Sequence, residues 1–82
     1  MDIVAGKNKF FIGEEEDPLA VIEYSITGNE LLITHTFVNN TLRGQGIAGI
    51  LTEEVLKYAK DHEYKVIPIC SFAVKYMERK GE

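Results

Sequence analysis

From Lys9 to Val38 apolar and polar residues alternate in short runs, and beyond Gly46 apolar residues recur every three or four positions. The first pattern is that of strands with one buried face, the second that of amphipathic helices. Residues 1 to 8 are mixed and are expected to fray. Lys9-Phe10-Phe11-Ile12 reads as a short strand that stops at Gly13. Glu14-Glu15-Glu16-Asp17 with Pro18 reads as a solvated loop, because like charges repel and stay wet; a patch that steers an acceptor is the other use of such a run. Leu19 to Ile26 alternates, with Ala20, Ile22, Tyr24 and Ile26 on one face. Thr27-Gly28-Asn29-Glu30 is a tight hairpin turn. Leu31 to Val38 follows as a third strand. Strict alternation puts Leu31, Ile33, His35 and Phe37 on one side and Leu32, Thr34, Thr36 and Val38 on the other.

Asn39-Asn40-Thr41 breaks this strand, and a helix then runs to about Asp61. Ile47, Leu51, Val55 and Tyr58, flanked by Ala48, Leu56 and Ala59, form its apolar stripe, while Glu53, Glu54, Lys57 and Lys60 face water. Lys65 to Ile69 reads as a fourth strand, parallel to the third because a helix connects the two. Ser71 to about Lys80, with Phe72, Ala73, Tyr76 and Met77 at helical spacing, closes the chain as a short helix. The expected fold is α+β with a mixed sheet: an antiparallel β-meander, then β-α-β with a parallel strand pair, then a C-terminal helix. Residues 1–82 form a single domain.

The chain's 82 residues, 45% of them hydrophobic, suffice for one simple core. No run approaches the roughly 20 apolar residues of a membrane span, and no signal peptide is visible, so a cytoplasmic location is the expectation. The single cysteine, Cys70, excludes an internal disulfide and a Cys-rich zinc site, and no metal is expected. A net charge of −4 argues against nucleic acid as a partner and mildly favours cationic ones.

The chemistry is concentrated where the meander meets the helix, at Leu42-Arg43-Gly44-Gln45-Gly46-Ile47-Ala48-Gly49-Ile50-Leu51. Backbone N–H groups in a first helical turn have no partner inside the helix, and the helix dipole adds positive potential there, so this turn suits an anion such as phosphate. Gly44 and Gly46 allow close approach, and Arg43 offers a charged fork. The same glycines also suit a turn with no ligand, where they serve geometry alone. Residues 44 to 49 spell G-x-G-x-x-G, but a dinucleotide-binding domain needs a longer parallel sheet and an acid about 20 residues on, and neither is present. No Lys-Ser or Lys-Thr pair follows the glycines, which excludes a Walker P-loop.

With strand, turn and helix in this order, Phe37 to Leu51 resembles the signature segment of the GNAT superfamily of acetyl-CoA-dependent N-acetyltransferases. That superfamily carries Gln/Arg-x-x-Gly-x-Gly/Ala after a strand, and Arg43, Gly46 and Ala48 fill those places. The resemblance covers about residues 9 to 81. It implies that acetyl-CoA or coenzyme A is bound by Arg43, Gly44, Gln45, Gly46, Ile47 and Ala48 around the pyrophosphate. It also implies that the strand backbone about His35 to Val38, including Phe37 and Val38, pairs with the pantetheine arm.

Cys70 to Gly81 resembles the later family pattern Asn-x-x-Ala-x-x-Phe/Leu-Tyr-x-x-x-Gly-Phe, with Ala73 and Gly81 in place and Tyr76 at the apolar position. Cys70 replaces the Asn, and Met77 replaces the tyrosine that often protonates the departing thiolate. Neighbouring Tyr76 is a poor substitute, since adjacent helical residues point about 100° apart. The whole resembles a small single-domain subgroup in which the cysteine is implicated in catalysis. The implied activity is acetyl transfer to an amine, a cationic small molecule or a protein lysine or N-terminus, either directly or through an acetyl-Cys70 intermediate.

His35 is the candidate base, because an imidazole titrates near neutrality, although a hydrogen-bonded sheet residue would look the same. Cys70, at the start of the last helix, is the candidate nucleophile, or equally a buried structural thiol. A CoA-binding module without catalysis and a small interaction domain on the same scaffold are the alternatives.

Overall fold

The computed structural model describes residues 2–81. It contains a five-stranded sheet in the order β1-β2-β3-β4-β5 and two helices. The strands are β1 (Val4–Gly6), β2 (Lys9–Glu14), β3 (Asp17–Thr27), β4 (Glu30–Val38) and β5 (Lys65–Pro68); the helices are α1 (Ile47–Asp61) and α2 (Ser71–Lys80). The first four strands are antiparallel, and β5 runs parallel to β4. The α+β mixed-sheet expectation therefore holds, with one strand more than the alternation predicts.

That extra strand corrects the expectation of a frayed start. Val4–Gly6 pairs with Lys9–Phe11 through a turn at Lys7-Asn8, where Asn8 has φ +58°. The acidic loop is also shorter than expected. Glu14 and Asp17 pair across the hairpin, leaving Glu15-Glu16 as its turn, and the register shifts at Gly13 (φ +93°).

The consequential departure lies in β4. Glu23 pairs with His35 and Tyr24 with Ile33, so Thr34 has no residue opposite it. Thr34 is a β-bulge, its Oγ1 donating to the Glu23 carbonyl at 3.2 Å. One extra residue reverses the alternation. Leu31 and Ile33 lie in the core, and after the bulge it is Thr36 and Val38 that face inward. His35 and Phe37 point to the opposite face, which corrects the expectation that they share a side with Leu31 and Ile33.

Helix α1 lies across β2 to β5 and buries Ile47, Leu51, Val55 and Ala59 against Ile22, Leu31 and Ile33. Phe10, Tyr24 and Tyr58 extend this core, with ring centroids 5.6–6.0 Å apart. Helix α2 adds Ala73 to the same core, so both helices cover one face. The other face carries a row in register across four strands, Val4, Phe11, Val21 and Phe37.

Leu51 is fully buried at the centre of the α1 contact. Leu51→Ala removes its transfer energy and leaves a cavity, and is expected to cost about 2–5 kcal/mol. Urea denaturation should show the midpoint falling with the slope unchanged.

Candidate active site

The site begins where β4 loses its parallel neighbour. Pro68, the last residue of β5, pairs with Ile33 and has no N–H with which to extend the ladder. The next two N–H groups, of Ile69 and Cys70, both donate to the Ile33 carbonyl, at 2.9 and 3.1 Å, and the chain then turns into α2. β4 continues to Val38, so Thr34 to Val38 have no strand beside them on that edge.

The orientation of the freed backbone follows from the ladder. Asn39 N–H donates to the Leu19 carbonyl at 2.7 Å, and the two-residue alternation carries that direction back to Phe37 and His35. The N–H and C=O groups of Thr36 and Val38 therefore point into the gap. Phe37 is not brought there, because its backbone faces β3 and its side chain lies on the open face of the sheet.

Beyond Val38 the chain is shaped by capping. The Asn39 side-chain oxygen accepts from Thr41 N–H at 3.0 Å and from Thr41 Oγ1 at 2.9 Å, closing a one-turn helix at Asn40–Leu42. Arg43 then folds back, its Nε donating to the Val38 carbonyl at 3.3 Å. Gly44 (φ +83°) and Gly46 (φ +71°) take left-handed conformations that L side chains rarely adopt, and a Cβ on either would meet nothing within 4 Å. Gly46 is the N-cap of α1 and has no side chain to cap it. The first intrahelical bond is Ile50 N–H to the Gly46 carbonyl at 3.1 Å, so the N–H groups of Ile47, Ala48 and Gly49 precede the ladder. The first turn of α1 holds no acidic residue.

This helix start forms one wall of a cleft of about 490 Å³. Val38, Leu42, Arg43, Gly44, Gly46, Ile47, Ala48 and Gly49 form the β4 side, and Phe72, Tyr76, Arg79 and Lys80 of α2 form the other; Gln45 is exposed at the turn and does not line the cleft. The α2 residues recur at the spacing of one helical face, a periodicity present in the sequence but assigned there only to packing. Gly49 brings the two walls together, since a Cβ there would lie 3.1 Å from the Tyr76 ring. Tyr76 lines the cleft and Met77 is buried away from it, so of the two it is Tyr76 that α2 turns toward the cleft.

Cys70 is the N-cap of α2 and is partly buried. Its Sγ lies 3.4 Å from Thr36 Oγ1, a contact that became possible only because the bulge turned Thr36 inward. His35 is exposed on the opposite face, across from Glu23. The two candidate catalytic groups thus flank β4 from opposite sides. Among the described residues no group of three or more His, Cys, Asp or Glu is placed to hold a metal.

The cleft's outer rim carries a charged cluster. Tyr76 hydroxyl donates to Glu53 Oε2, and Lys80 Nζ donates to the same oxygen at 2.7 Å. Hydrogen bonding from Lys80, then from Tyr76, holds the Glu53 carboxyl below its ordinary range.

A short mixed sheet, a strand that outlasts its parallel neighbour and a glycine-led helix start thus meet at one cleft. The family model for GCN5-related N-acetyltransferases matches residues 9–82. The chain belongs to that family. It is 40% identical to a GCN5-like protein from Staphylococcus aureus, solved by NMR and assigned N-acetyltransferase activity provisionally; the match covers 96% of this chain and 79% of that one, with a TM-score of 0.83. An integron cassette protein from the mobile metagenome of Cole Harbour Salt Marsh shares the fold at 15% identity and a TM-score of 0.64; the match covers 90% of this chain and 51% of that one.

Two outcomes follow from this geometry. Gly46→Ala forces an L residue into the left-handed region and should cost about 1–2 kcal/mol in denaturant unfolding. The depressed Glu53 carboxyl binds a proton less readily when folded than when unfolded, so its contribution is full above the unfolded value and is lost as pH falls through the folded one. Glu53→Gln should therefore flatten the acid limb of a stability-against-pH curve and leave its shape around neutral pH unchanged.

Proposed function

We propose that the cleft binds acetyl-CoA and that the protein transfers the acetyl group to an amine. The observation that carries this is that an uncapped helix start and an unpaired strand edge meet at Val38 in one cleft. When bound, acetyl-CoA supplies an activated thioester. The N–H groups of Ile47 and Ala48, with the free fork nitrogens of Arg43, suit its pyrophosphate. Gly44, Gln45 and Gly46 form a turn open enough to let it approach, and this fits the open space found above Gly44 and Gly46. The backbone of Thr36 and Val38 offers strand-like partners to an amide-containing arm. The Thr36 N–H also suits developing oxyanion charge.

Two routes use these residues. In the first, an amine attacks the acetyl carbonyl directly, and His35 accepts its proton from the open face of the sheet. In the second, the Cys70 thiol gives up its proton as its sulfur bonds the acetyl carbon, the carbon–sulfur bond to coenzyme A breaks, and that proton goes to the departing sulfur. The amine then displaces the acetyl group from sulfur, and the amine's proton returns to the Cys70 thiolate. The Thr36 contact favours the second route, because it holds Sγ beside the strand that faces the gap. A cationic amine is the acceptor class that the net charge of −4 favours.

NMR titration of labelled protein with acetyl-CoA should shift Val38 and Arg43 to Ala48 saturably, while NADH should not. Intact mass after incubation should show an added mass of about 42 Da, one acetyl group on a nucleophile, that is absent from Cys70→Ala. Shifts without an adduct, and unchanged turnover by Cys70→Ala, would establish the direct route. Absence of shifts would refute the cofactor assignment.

A further inference from the structure

We infer that Arg79, on the last turn of α2, forms a second phosphate subsite that reads the ribose 3′-phosphate of coenzyme A and so distinguishes it from 3′-dephospho forms. The inference rests on the cleft being a coenzyme A site.

The chain carries 13 acidic residues against 9 Lys and Arg, yet the cleft lining holds Arg43, Arg79 and Lys80 and no carboxylate. Such an excess of positive charge in an acidic protein marks a place for a polyanion. The three cations are not equivalent. Arg43 is tied to the end of β4 through its Nε, beside the glycine turn, where it serves the same anion as the helix start. Lys80 is ion-paired with Glu53 at 2.7 Å. Arg79 makes no hydrogen bond or ion pair with another described residue, so its whole donor fork is available.

Its position fits a second anion rather than the first. Arg79 belongs to the α2 wall, whereas the uncapped N–H groups belong to the α1 wall. A ligand with one phosphate group would be served by the helix start and Arg43 alone. Coenzyme A carries a pyrophosphate and, separately on the ribose, a phosphomonoester, which matches two anion sites on facing walls. A guanidinium fork suits the phosphomonoester oxygens bidentately.

The test is isothermal titration of the full chain with coenzyme A and with 3′-dephospho-coenzyme A, at low and high salt. The wild-type protein should bind coenzyme A about threefold to fivefold more tightly, the upper part of the range for an exposed charge pair. Arg79→Gln should bring that ratio below about twofold, mainly by weakening coenzyme A. Lys75→Gln, an exposed cation on α2 outside the cleft, should leave the ratio intact. Equal binding of both ligands by the wild type, or a ratio that survives Arg79→Gln, would overturn the subsite while leaving the coenzyme A site standing. Failure of both ligands to bind the wild type would refute the site itself.

Discussion

The structure depends on one constraint, that side chains along a strand alternate with a period of two, and on its single violation at Thr34. Up to Ile33, β4 is an ordinary interior strand with neighbours on both sides. After the bulge it presents Thr36 and Val38 to the helical layer and His35 and Phe37 to the other face. At the same point Pro68 ends the parallel ladder, and Ile33's carbonyl takes the N–H groups of both Ile69 and Cys70. Bulge and proline act on opposite strands at one level of the sheet. Together they turn a structural strand into one with a free edge.

The charge pattern completes what the backbone begins. An acidic chain keeps carboxylates away from the cleft lining and places Glu53 just outside, where Lys80 and Tyr76 occupy it. The helix start adds its own partial positive charge at no cost in side chains. A polyanion would therefore meet complementary potential inside the cleft and repulsion over much of the remaining surface.

Much of this was legible in the residues. The meander, α1 and its apolar stripe, the parallel β5 and the closing helix followed from periodicity and turn chemistry, and the glycine turn pointed to the site. β1 was hidden because three residues, none of them buried, carry no periodic signal. The bulge was hidden for a different reason. Thr34 fits either face of a sheet, so nothing in Leu31 to Val38 marks where the alternation breaks, and the faces of His35 and Thr36 were exchanged as a result. The Thr36–Cys70 contact joins residues 34 positions apart and arises only once that exchange is made. The α2 wall was missed because Phe72 and Tyr76 read equally well as core residues.

The glycine string at residues 44 to 49 has a meaning that its spelling conceals. Gly44 and Gly46 serve backbone conformation, holding dihedral angles that other residues resist, with empty space around them. Gly49 lies inside a regular helix and serves spacing, since the Tyr76 ring occupies the volume a side chain would need. Two unrelated demands, one on torsion and one on interhelical distance, have converged on a single line of text. A pattern search would weigh the three glycines alike. In the molecule the first two shape the mouth of the cleft, and the third sets how far apart its walls can stand.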